Sequence, residues 1–383
     1  MNSNLFVFNP ENDMALADGK PGYTPPAQIQ QMRRELWWLP EWWAEDGDIV
    51  WNGEDKLSLS DDTHILPWGW SPAICHQLRQ AGVQESFLPS AERLEHIRQL
   101  SHRQTAVSLL QELHKQLPLD GHLAGESTLC HTMEEVEEAT DKYGEAILKS
   151  PWSSSGRGVR RSISEFIIHN SQCTINNSEF TFNNSQFRIH NSQLDNQNSE
   201  FNKEDSECNK QDSEINNQDS KSSSLEADKG WINRIIRSQG SIVVERFLHK
   251  VADFALEFWL DGKGGVEFRG LSLFYTNERG AYLGNWVAPE GQKLAWLAQY
   301  IPLPYLQEIR RWWEERLRHF DYSGPVGIDM MLAQEGICPC IEVNWRMTMG
   351  LVSCMVAAQG HYGRMVVEYI YGHYSAEVEP FGG

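Results

Sequence analysis

Long hydrophobic runs and positive charge are both scarce in this sequence. No apolar run approaches the ~18 residues that a membrane-spanning helix needs. The first residues lack the basic and apolar segments of a secretory signal. Only 33 Lys and Arg stand against 53 Asp and Glu, which gives a net charge of −20. We therefore predict a soluble cytoplasmic protein, with neither nucleic acid nor a membrane as its partner.

Cysteine pairs and two common nucleotide signatures are also missing. The seven cysteines are scattered, and Cys338 and Cys340 form an isolated C-x-C rather than part of a zinc motif. Reduced cysteines are therefore expected. The sequence contains neither the P-loop pattern G-x-x-x-x-G-K-[ST] nor a G-x-G-x-x-G after its first strand. Any nucleotide site must therefore be built in another way.

What is present is enough apolar sequence for two or three domains: 383 residues, of which 40% are hydrophobic. In the first 95 residues, predicted strands at 5–8, 48–51 and 64–67 alternate with helical patterns at 28–48 and 73–81. This rhythm predicts a small α/β domain with a parallel sheet. Helical patterns follow over 90–117 and from residue 133.

A polar turn follows the first predicted strand and contains Asn9, Glu11, Asn12 and Asp13. Loops at strand ends of open α/β sheets often bind ligands, so these side chains could hold a polar substrate. They could equally begin a helix at Met14. Both interpretations remain open.

The most informative stretch is 341–346, which reads IEVNWR. In a strand, Glu342, Asn344 and Arg346 would share one face, with successive members about 7 Å apart. A carboxylate and an amide oxygen suit Mg²⁺, and a guanidinium suits a phosphate or another oxyanion. Asp329 ends the apolar run 325–328 and could reach the same ion from the next strand. The alternative is an antiparallel hairpin with a solvated polar face.

A second stretch favours the magnesium interpretation. The apolar run 146–148 ends at Lys149, and a loop rich in small residues follows over 150–158. Small residues let backbone N–H groups bend around an anion, and Lys149 adds a cation at the base of the loop. The alternative is an ordinary flexible hairpin. The loop residues predicted to bind a cofactor are Ser153, Ser154, Ser155, Gly156 and Gly158.

A third stretch, 241–248, is a predicted strand that ends in polar residues, with Asp253 shortly after it. In this order, Lys149 and its loop, VVERFL, GID and EVNWR resemble the ATP-grasp superfamily over residues 96–161 and 229–370. The resemblance implies a parallel-sheet N-terminal domain at 1–95, followed by a two-subdomain ATP-grasp fold at 96–161 and 229–383. The implied fold class is thus α/β and α+β.

The same resemblance implies roles for individual residues. Lys149 and Arg103 would contact the phosphates of ATP. Val244 and Glu245 would lie at the adenine, and Asp253 near the ribose. The implied ligands of Mg²⁺ are Asp329, Glu342 and Asn344. Arg346 would face an acyl phosphate, which makes Arg346 and Lys149 the catalytic candidates.

Residues 162–228 interrupt the resemblance. Serine recurs there at every seventh position from 164 to 220, and twelve acidic residues stand against four basic ones. Asn and Ser are poor helix formers, and the apolar stripe of a coiled coil is missing. Such low-complexity tracts cannot bury enough surface to fold alone, so we predict a disordered insertion. A short array of stacked strands is the alternative.

Three functions are compatible with these features. The first is an ATP- and Mg²⁺-dependent ligase that activates a carboxylate of a small molecule or peptide for attack by an amine or another nucleophile. The second is a small-molecule kinase with the same ATP site. The third is a non-catalytic ATP-binding or scaffold protein in which the repeat makes the contacts. The segment 274–286 could be a substrate loop or a plain hairpin turn.

Overall fold

The structure is a computed structural model that describes residues 3–117, 119, 121–152, 158–164, 223–277 and 282–380. Its strands are β1 Ser3–Val7, β2 Ile49–Trp51, β3 Thr63–Pro67, β4 Ser127–Cys130, β5 Glu145–Lys149, β6 Val159–Ile163, β7 Ser223–Ser224, β8 Ile242–Arg246, β9 Lys250–Asp261, β10 Val266–Thr276, β11 Tyr282–Val287, β12 Ser323–Ala333, β13 Gly336–Asn344, β14 Gly363–Ile370 and β15 His373–Glu379. Its α-helices are α1 Asn12–Asp18, α2 Ala27–Glu35, α3 Pro72–Ala81, α4 Ala91–Leu100, α5 Arg103–Gln116, α6 Met133–Tyr143, α7 Leu225–Gln239, α8 Glu290–Leu297, α9 Leu303–Leu317 and α10 Met349–Ala358.

The N-terminal part is built on a three-stranded sheet in the order β2-β1-β3, in which both pairs are parallel. Leu5 and Val7 of the central strand are buried against Ile74 and Leu78 of α3. Ser71 begins α3 by accepting a hydrogen bond from the Ile74 N–H. The predicted small parallel sheet is confirmed.

Two helical predictions in this region were too long. The helix predicted over 28–48 ends at Glu35, and a 3₁₀ turn follows at Leu39–Trp42 with Pro40 near its start. The pattern over 90–117 is divided into α4 and α5. The division occurs because His102 adopts an extended backbone and its side chain caps the new helix at the Gln104 N–H. The predicted domain boundary at residue 95 falls inside α4.

A five-stranded sheet in the order β4-β8-β5-β6-β7 forms the next layer. Helices α6 and α7 pack against it through Val136 and Ile232, which join Leu148 and Val244 in one buried cluster. Pairing is antiparallel except between β6 and β7. This sheet brings Lys149, at the end of β5, beside β8.

A seven-stranded antiparallel sheet in the order β13-β12-β9-β10-β11-β14-β15 forms the largest layer. Its apolar face buries Phe254 and Phe258 against α9, where Trp313 is also fully buried. Side chains alternate along each strand, so the opposite face receives polar residues that include Asp253 and Glu257 of β9. Together, the small parallel sheet and the two larger sheets confirm the predicted fold class.

The edges of the predicted insertion belong to the fold. Strand β6 continues to Ile163, and the Ser164 N–H then donates to the Gly144 carbonyl. On the other side, Leu225 is buried in the core, and the Asp228 carboxylate accepts a hydrogen bond from Arg160 at 2.8 Å. The insertion therefore begins after residue 164 and ends before residue 223, rather than at 162 and 228. Residues 165–222, which hold nearly all of the seven-residue repeat, lie outside the described residues.

Two further features concern the described part of the chain. None of its helices is long and apolar enough to cross a membrane. Its cysteines Cys75, Cys130, Cys338, Cys340 and Cys354 are buried and form no disulfide.

Candidate functional site

The polar residues of β12 and β13 meet on one face of the large sheet. Asp329 and Glu342 are directly opposite each other, and Asn344 is opposite Gly327. The Asn344 amide donates to Asp329 Oδ2 at 3.0 Å. Gly327 keeps this corner open for a neighbour, because a Cβ there would lie 2.8 Å from Glu257 Oε2. The structure thus brings the three predicted magnesium ligands together.

Arg103 connects this face to the five-stranded sheet. It is the first residue of α5 and only 7% exposed. Its Nη2 donates to Glu342 Oε1 at 3.1 Å, and its Nη1 donates to the Ser150 carbonyl at 2.7 Å. Ser150 follows Lys149 directly, so a single guanidinium holds the predicted metal site beside the predicted phosphate loop.

Lys149 forms an ion pair with Glu245 across β5 and β8, with 2.6 Å between Nζ and Oε2. Both side chains are largely buried, at 12% and 16% exposure. The backbone turn after Lys149 closes where the Ser150 N–H donates to the Gly158 carbonyl, at 3.0 Å. Gly158 has φ 71°, a left-handed conformation that glycine adopts without strain. The other predicted loop residues, Ser153, Ser154, Ser155 and Gly156, lie outside the described residues.

A cleft of about 220 Å³ lies between α5, β8 and β13. Two of its lining residues, Arg103 and Glu245, are charged. The others are mostly apolar: Ala106, Val107, Leu110, Ser127, Cys340 and Ile341.

Two residues with a predicted nucleotide contact, Val244 and Asp253, do not line this cleft, and their contacts with ATP remain predictions. Val244 is fully buried in the core cluster of the five-stranded sheet, with β4 and β5 paired on its two sides. Only Glu245 of that predicted pair borders the cleft. Asp253 accepts hydrogen bonds from Lys250 at 2.7 Å and Thr276 at 2.6 Å and does not line this cleft, so its ribose role remains a prediction.

Arg346 lies just beyond the end of β13, in the turn that leads to α10. Its guanidinium holds the Asp13 carboxylate through two nitrogens: Nε donates to Oδ1 at 2.8 Å and Nη2 donates to Oδ2 at 2.7 Å. Nη2 also donates to Asn344 Oδ1, and Nη1 donates to the Met347 carbonyl. Asp13 of the N-terminal domain therefore lies beside Arg346 and Asn344. The sequence left open whether this polar turn holds a substrate or begins a helix.

Nearby residues of that turn have a structural role. The Asn9 amide donates to the Gly69 carbonyl at 2.8 Å, and the Asn12 amide can bond the Gly69 and Trp70 carbonyls. Glu11 precedes α1 without capping it and pairs instead with Arg33 at 2.7 Å. These contacts fix the start of α1, in whose first turn Asp13 lies.

A second cleft, of about 330 Å³, lies where the N-terminal domain meets the two sheets. It borders the predicted metal ligands through Glu342 and Asn344, and the N-terminal domain through Asp13. The remaining lining residues are Ser101, Pro151, Trp152, Val343 and Trp345.

Electrostatics at the carboxylate pair favour a bound cation. Burial and then the nearby Glu342 carboxylate raise the pKa of Asp329 to about 7, although the Asn344 hydrogen bond opposes this. A cation between the two carboxylates would reverse that shift. In the described ranges, no group of three or more His, Cys, Asp or Glu side chains is placed to hold a metal ion. Two carboxylates and an amide oxygen are hard ligands that suit Mg²⁺.

Glu257 was not anticipated from the sequence. It is 1% exposed, accepts a hydrogen bond from Thr348 at 2.9 Å, and its Oε1 has no partner among the described residues. Burial, followed by the charge of Asp329, raises the pKa of Glu257 to about 8. The sequence signal for a buried carboxylate here is that Glu257 is a single acidic residue within the apolar stretch 254–260.

Comparison with known proteins gives likeness only in fold. No family model matches the sequence, and no curated protein is similar to it. Among solved structures, phosphoribosylamine–glycine ligase from Thermotoga maritima matches with a TM-score of 0.46 and 13% identity, over 96% of this chain and 81% of that chain. Biotin carboxylase from Campylobacter jejuni, in complex with a β,γ-ATP compound, matches with a TM-score of 0.47 and 12% identity, over 93% and 70%.

N5-carboxyaminoimidazole synthetase from Staphylococcus aureus, in complex with ADP, matches with a TM-score of 0.42 and 11% identity, over 90% of this chain and 71% of that chain. The TM-scores of these three matches are all below 0.5.

Proposed function

We propose that this protein is an ATP- and Mg²⁺-dependent ligase that activates a substrate carboxylate as an acyl phosphate for attack by an amine. The principal support is the position of Arg103, which bonds both Glu342 and the Ser150 carbonyl. Arg103 thus connects Glu342, one carboxylate of an acidic pair suited to Mg²⁺, to the residue that follows Lys149, a lysine suited to phosphate. Phosphoryl transfer needs this combination, because it depends mainly on positioning and charge neutralisation.

Nucleotide binding would exchange the ion pairs that the structure shows. Lys149 would leave Glu245 for a phosphate oxygen, and Arg103 would keep the Ser150 carbonyl while facing the phosphates. The base would occupy the apolar cleft beside Ile341. Asp329, Glu342 and Asn344 would hold Mg²⁺, which supplies positive charge to the phosphate oxygens when bound.

The proposed chemistry has two balanced steps. A carboxylate oxygen of the substrate attacks the γ-phosphorus of ATP, so that an acyl phosphate forms and ADP leaves. An amine then attacks the acyl carbon, so that an amide forms and inorganic phosphate leaves with loss of a proton. Arg346 would stabilise the developing negative charge, because its guanidinium already binds a carboxylate there.

Phosphate release tests this proposal. The full chain is incubated with Mg²⁺, ATP and pairs of carboxylates and amines, and both phosphate and ADP are measured. We expect phosphate above the ATP-only background for the correct pair, and none from the Asp329→Ala, Glu342→Ala double variant. A stable phosphorylated product without free phosphate would identify a kinase instead. Nucleotide binding and turnover that survive in the double variant would contradict the proposed site.

A further inference from the structure

His102 occupies the junction between α4 and α5, directly before Arg103. Its backbone is extended, and its Nδ1 accepts a hydrogen bond from the Gln104 N–H at 3.1 Å. That bond satisfies one of the N–H groups that the first turn of a helix leaves without an intrahelical partner. Arg103 lies in the same turn, so the placement of its guanidinium between Glu342 and the Ser150 carbonyl depends on how this turn is held.

The His102 ring also contacts the first part of the predicted phosphate loop. It meets the Trp152 ring edge to face, with 5.2 Å between the ring centroids. The Trp152 N–H donates to Gln239 Oε1 at 3.1 Å, and the guanidinium of Arg98 lies over the Trp152 ring at 5.1 Å. One imidazole therefore borders both the turn that carries Arg103 and the base of the loop.

Only the neutral imidazole can cap α5. Nδ1 accepts a hydrogen bond only when it carries no proton, whereas both ring nitrogens of an imidazolium are donors. The ring faces Arg98 of α4, Arg103 of α5 and His131, which lies just before α6. Burial, followed by the charges of these three residues, lowers the pKa of His102 below its ordinary value of 6.5. The folded protein therefore favours the form of His102 that makes the cap.

We propose that His102 is a positioning residue for nucleotide binding, which acts as a neutral imidazole by capping α5 and so holding Arg103 between the two sheets. Loss of the cap, by substitution or by protonation, would free the first turn of α5 and weaken both contacts of the Arg103 guanidinium. This inference rests on the proposed ligase function and adds to it a residue that acts through Arg103.

Calorimetric titration of the full chain with ADP and Mg²⁺ tests the role of the cap. At pH 8, His102→Ala should weaken ADP binding roughly five-fold, which is the typical effect of losing an N-cap acceptor. His102→Asn should bind ADP like the parent at this pH, because the Asn side chain supplies an acceptor oxygen.

The dependence of affinity on pH tests the role of the neutral form. Between pH 8 and pH 5, the parent should lose about two-fold or more affinity beyond the loss in His102→Asn, because only the parent has an acceptor that protonation removes. ADP and Asp329 titrate in both proteins, so the difference between the two profiles isolates His102. If His102→Ala does not fold, this comparison still tests the inference.

Thr132→Ala is the matched control. Thr132 caps α6 by accepting a hydrogen bond from the Glu135 N–H at 3.2 Å, so this variant loses a helix cap and leaves α5 intact. We expect both His102→Ala and Thr132→Ala to lower the thermal midpoint, and only His102→Ala to weaken ADP binding. That contrast separates the positioning of Arg103 from a general loss of stability.

Three results would overturn the inference alone. The first is that His102→Ala binds ADP as tightly as the parent. The second is that the affinities of His102→Asn and the parent depend on pH in the same way. The third is that acidification strengthens ADP binding in the parent relative to His102→Asn, because the imidazolium would then be attracting the phosphates. Failure of the parent chain to bind ADP would overturn the proposed function and this inference with it.

Discussion

Arg103 and Glu342 are 239 residues apart in the chain, and their side chains meet at 3.1 Å. The contact places the first turn of α5 against the polar face of the large sheet. Within this contact the Glu342 side chain is 32% exposed and lines the second cleft, whereas the Arg103 side chain is 8% exposed and lines the first. Substitutions at the site should therefore affect ligand binding more than folding.

Replacing Glu342 by Gln should abolish Mg²⁺-dependent turnover and leave the thermal midpoint close to that of the parent. Gln is nearly isosteric with Glu but lacks the charge that the cation requires. Glu112→Gln is the control, because Glu112 pairs with Arg316 at 3.0 Å with 34% exposure, close to the values for Glu342. Turnover of the Glu342→Gln protein within a few-fold of the parent would show that the cation binds elsewhere.

Replacing Lys149 by Ala should weaken ATP binding about ten-fold or more, because a charge-assisted contact contributes roughly 1.5–3 kcal/mol. The variant also leaves Glu245 without its partner next to the phosphates, which acts in the same direction. Calorimetric titration with Mg²⁺ and a non-hydrolysable ATP analogue measures the change. Lys142→Ala, which removes a surface pair with Glu126 in the same subdomain, should bind like the parent. If the Lys149→Ala and Lys142→Ala variants bound the ATP analogue equally tightly, Lys149 would not contact the nucleotide.

Glu257 should make the protein less stable as pH rises. Its pKa is about 8 in the folded protein, above the ordinary value of 4.5, so the folded state binds this proton more tightly than the unfolded state. The free energy of unfolding should therefore fall between about pH 4.5 and pH 8, and Glu257→Gln should make this fall smaller. Asp329 also has a raised pKa, so part of the fall in the free energy of unfolding with pH should remain in the Glu257→Gln variant.

Urea unfolding at pH 5 and pH 8 measures the effect of Glu257. The control is Glu267→Gln on the adjacent strand β10, where the side chain is 63% exposed. If the Glu257→Gln variant lost as much stability between pH 5 and pH 8 as the parent, Glu257 would not be the source of this pH dependence.

Deleting 165–222 and joining Ser164 to Ser223 through about ten Gly and Ser residues should preserve stability and nucleotide binding. A linker of this length is needed because β6 and β7 are parallel and cannot be joined by a tight turn. Shortening a connection changes its closure entropy little, by roughly 0.6 kcal/mol per factor of two in length.

The wider deletion of 162–228 serves as the contrasting variant. It should destabilise the fold, because it removes the buried Leu225 and the Asp228 partner of Arg160. Thermal unfolding and calorimetry compare the two. Insolubility of the shorter deletion protein, or loss of its ATP binding, would mean that the repeat is part of the folded protein.

Local pattern was enough to predict the three strands of the N-terminal sheet and the position of Glu342 and Asn344 on one face of a strand. The alternation of side chains along a strand places Glu342 and Asn344 on one face, and Asp329 is near enough in sequence to join them through the adjacent strand. The three apolar runs of the N-terminal region predicted its parallel sheet for a similar reason. Periodicity did not predict the break between α4 and α5, where His102 caps the second helix. An apolar stripe can continue across a break in the backbone and so does not show it.

Tertiary structure alone decided which distant charges became partners. The sequence by itself determined that Arg346 follows the acidic face and that Asp13 lies in a polar turn, but nothing local connects residues 333 apart. The same holds for Arg103 with Glu342, and for the burial of Glu257 and Val244, which depends on the elements packed against β9 and β8. Side-chain type is a local property, whereas burial and pairing depend on how the sheets close around it, and so the chemistry of the cleft is set by the fold.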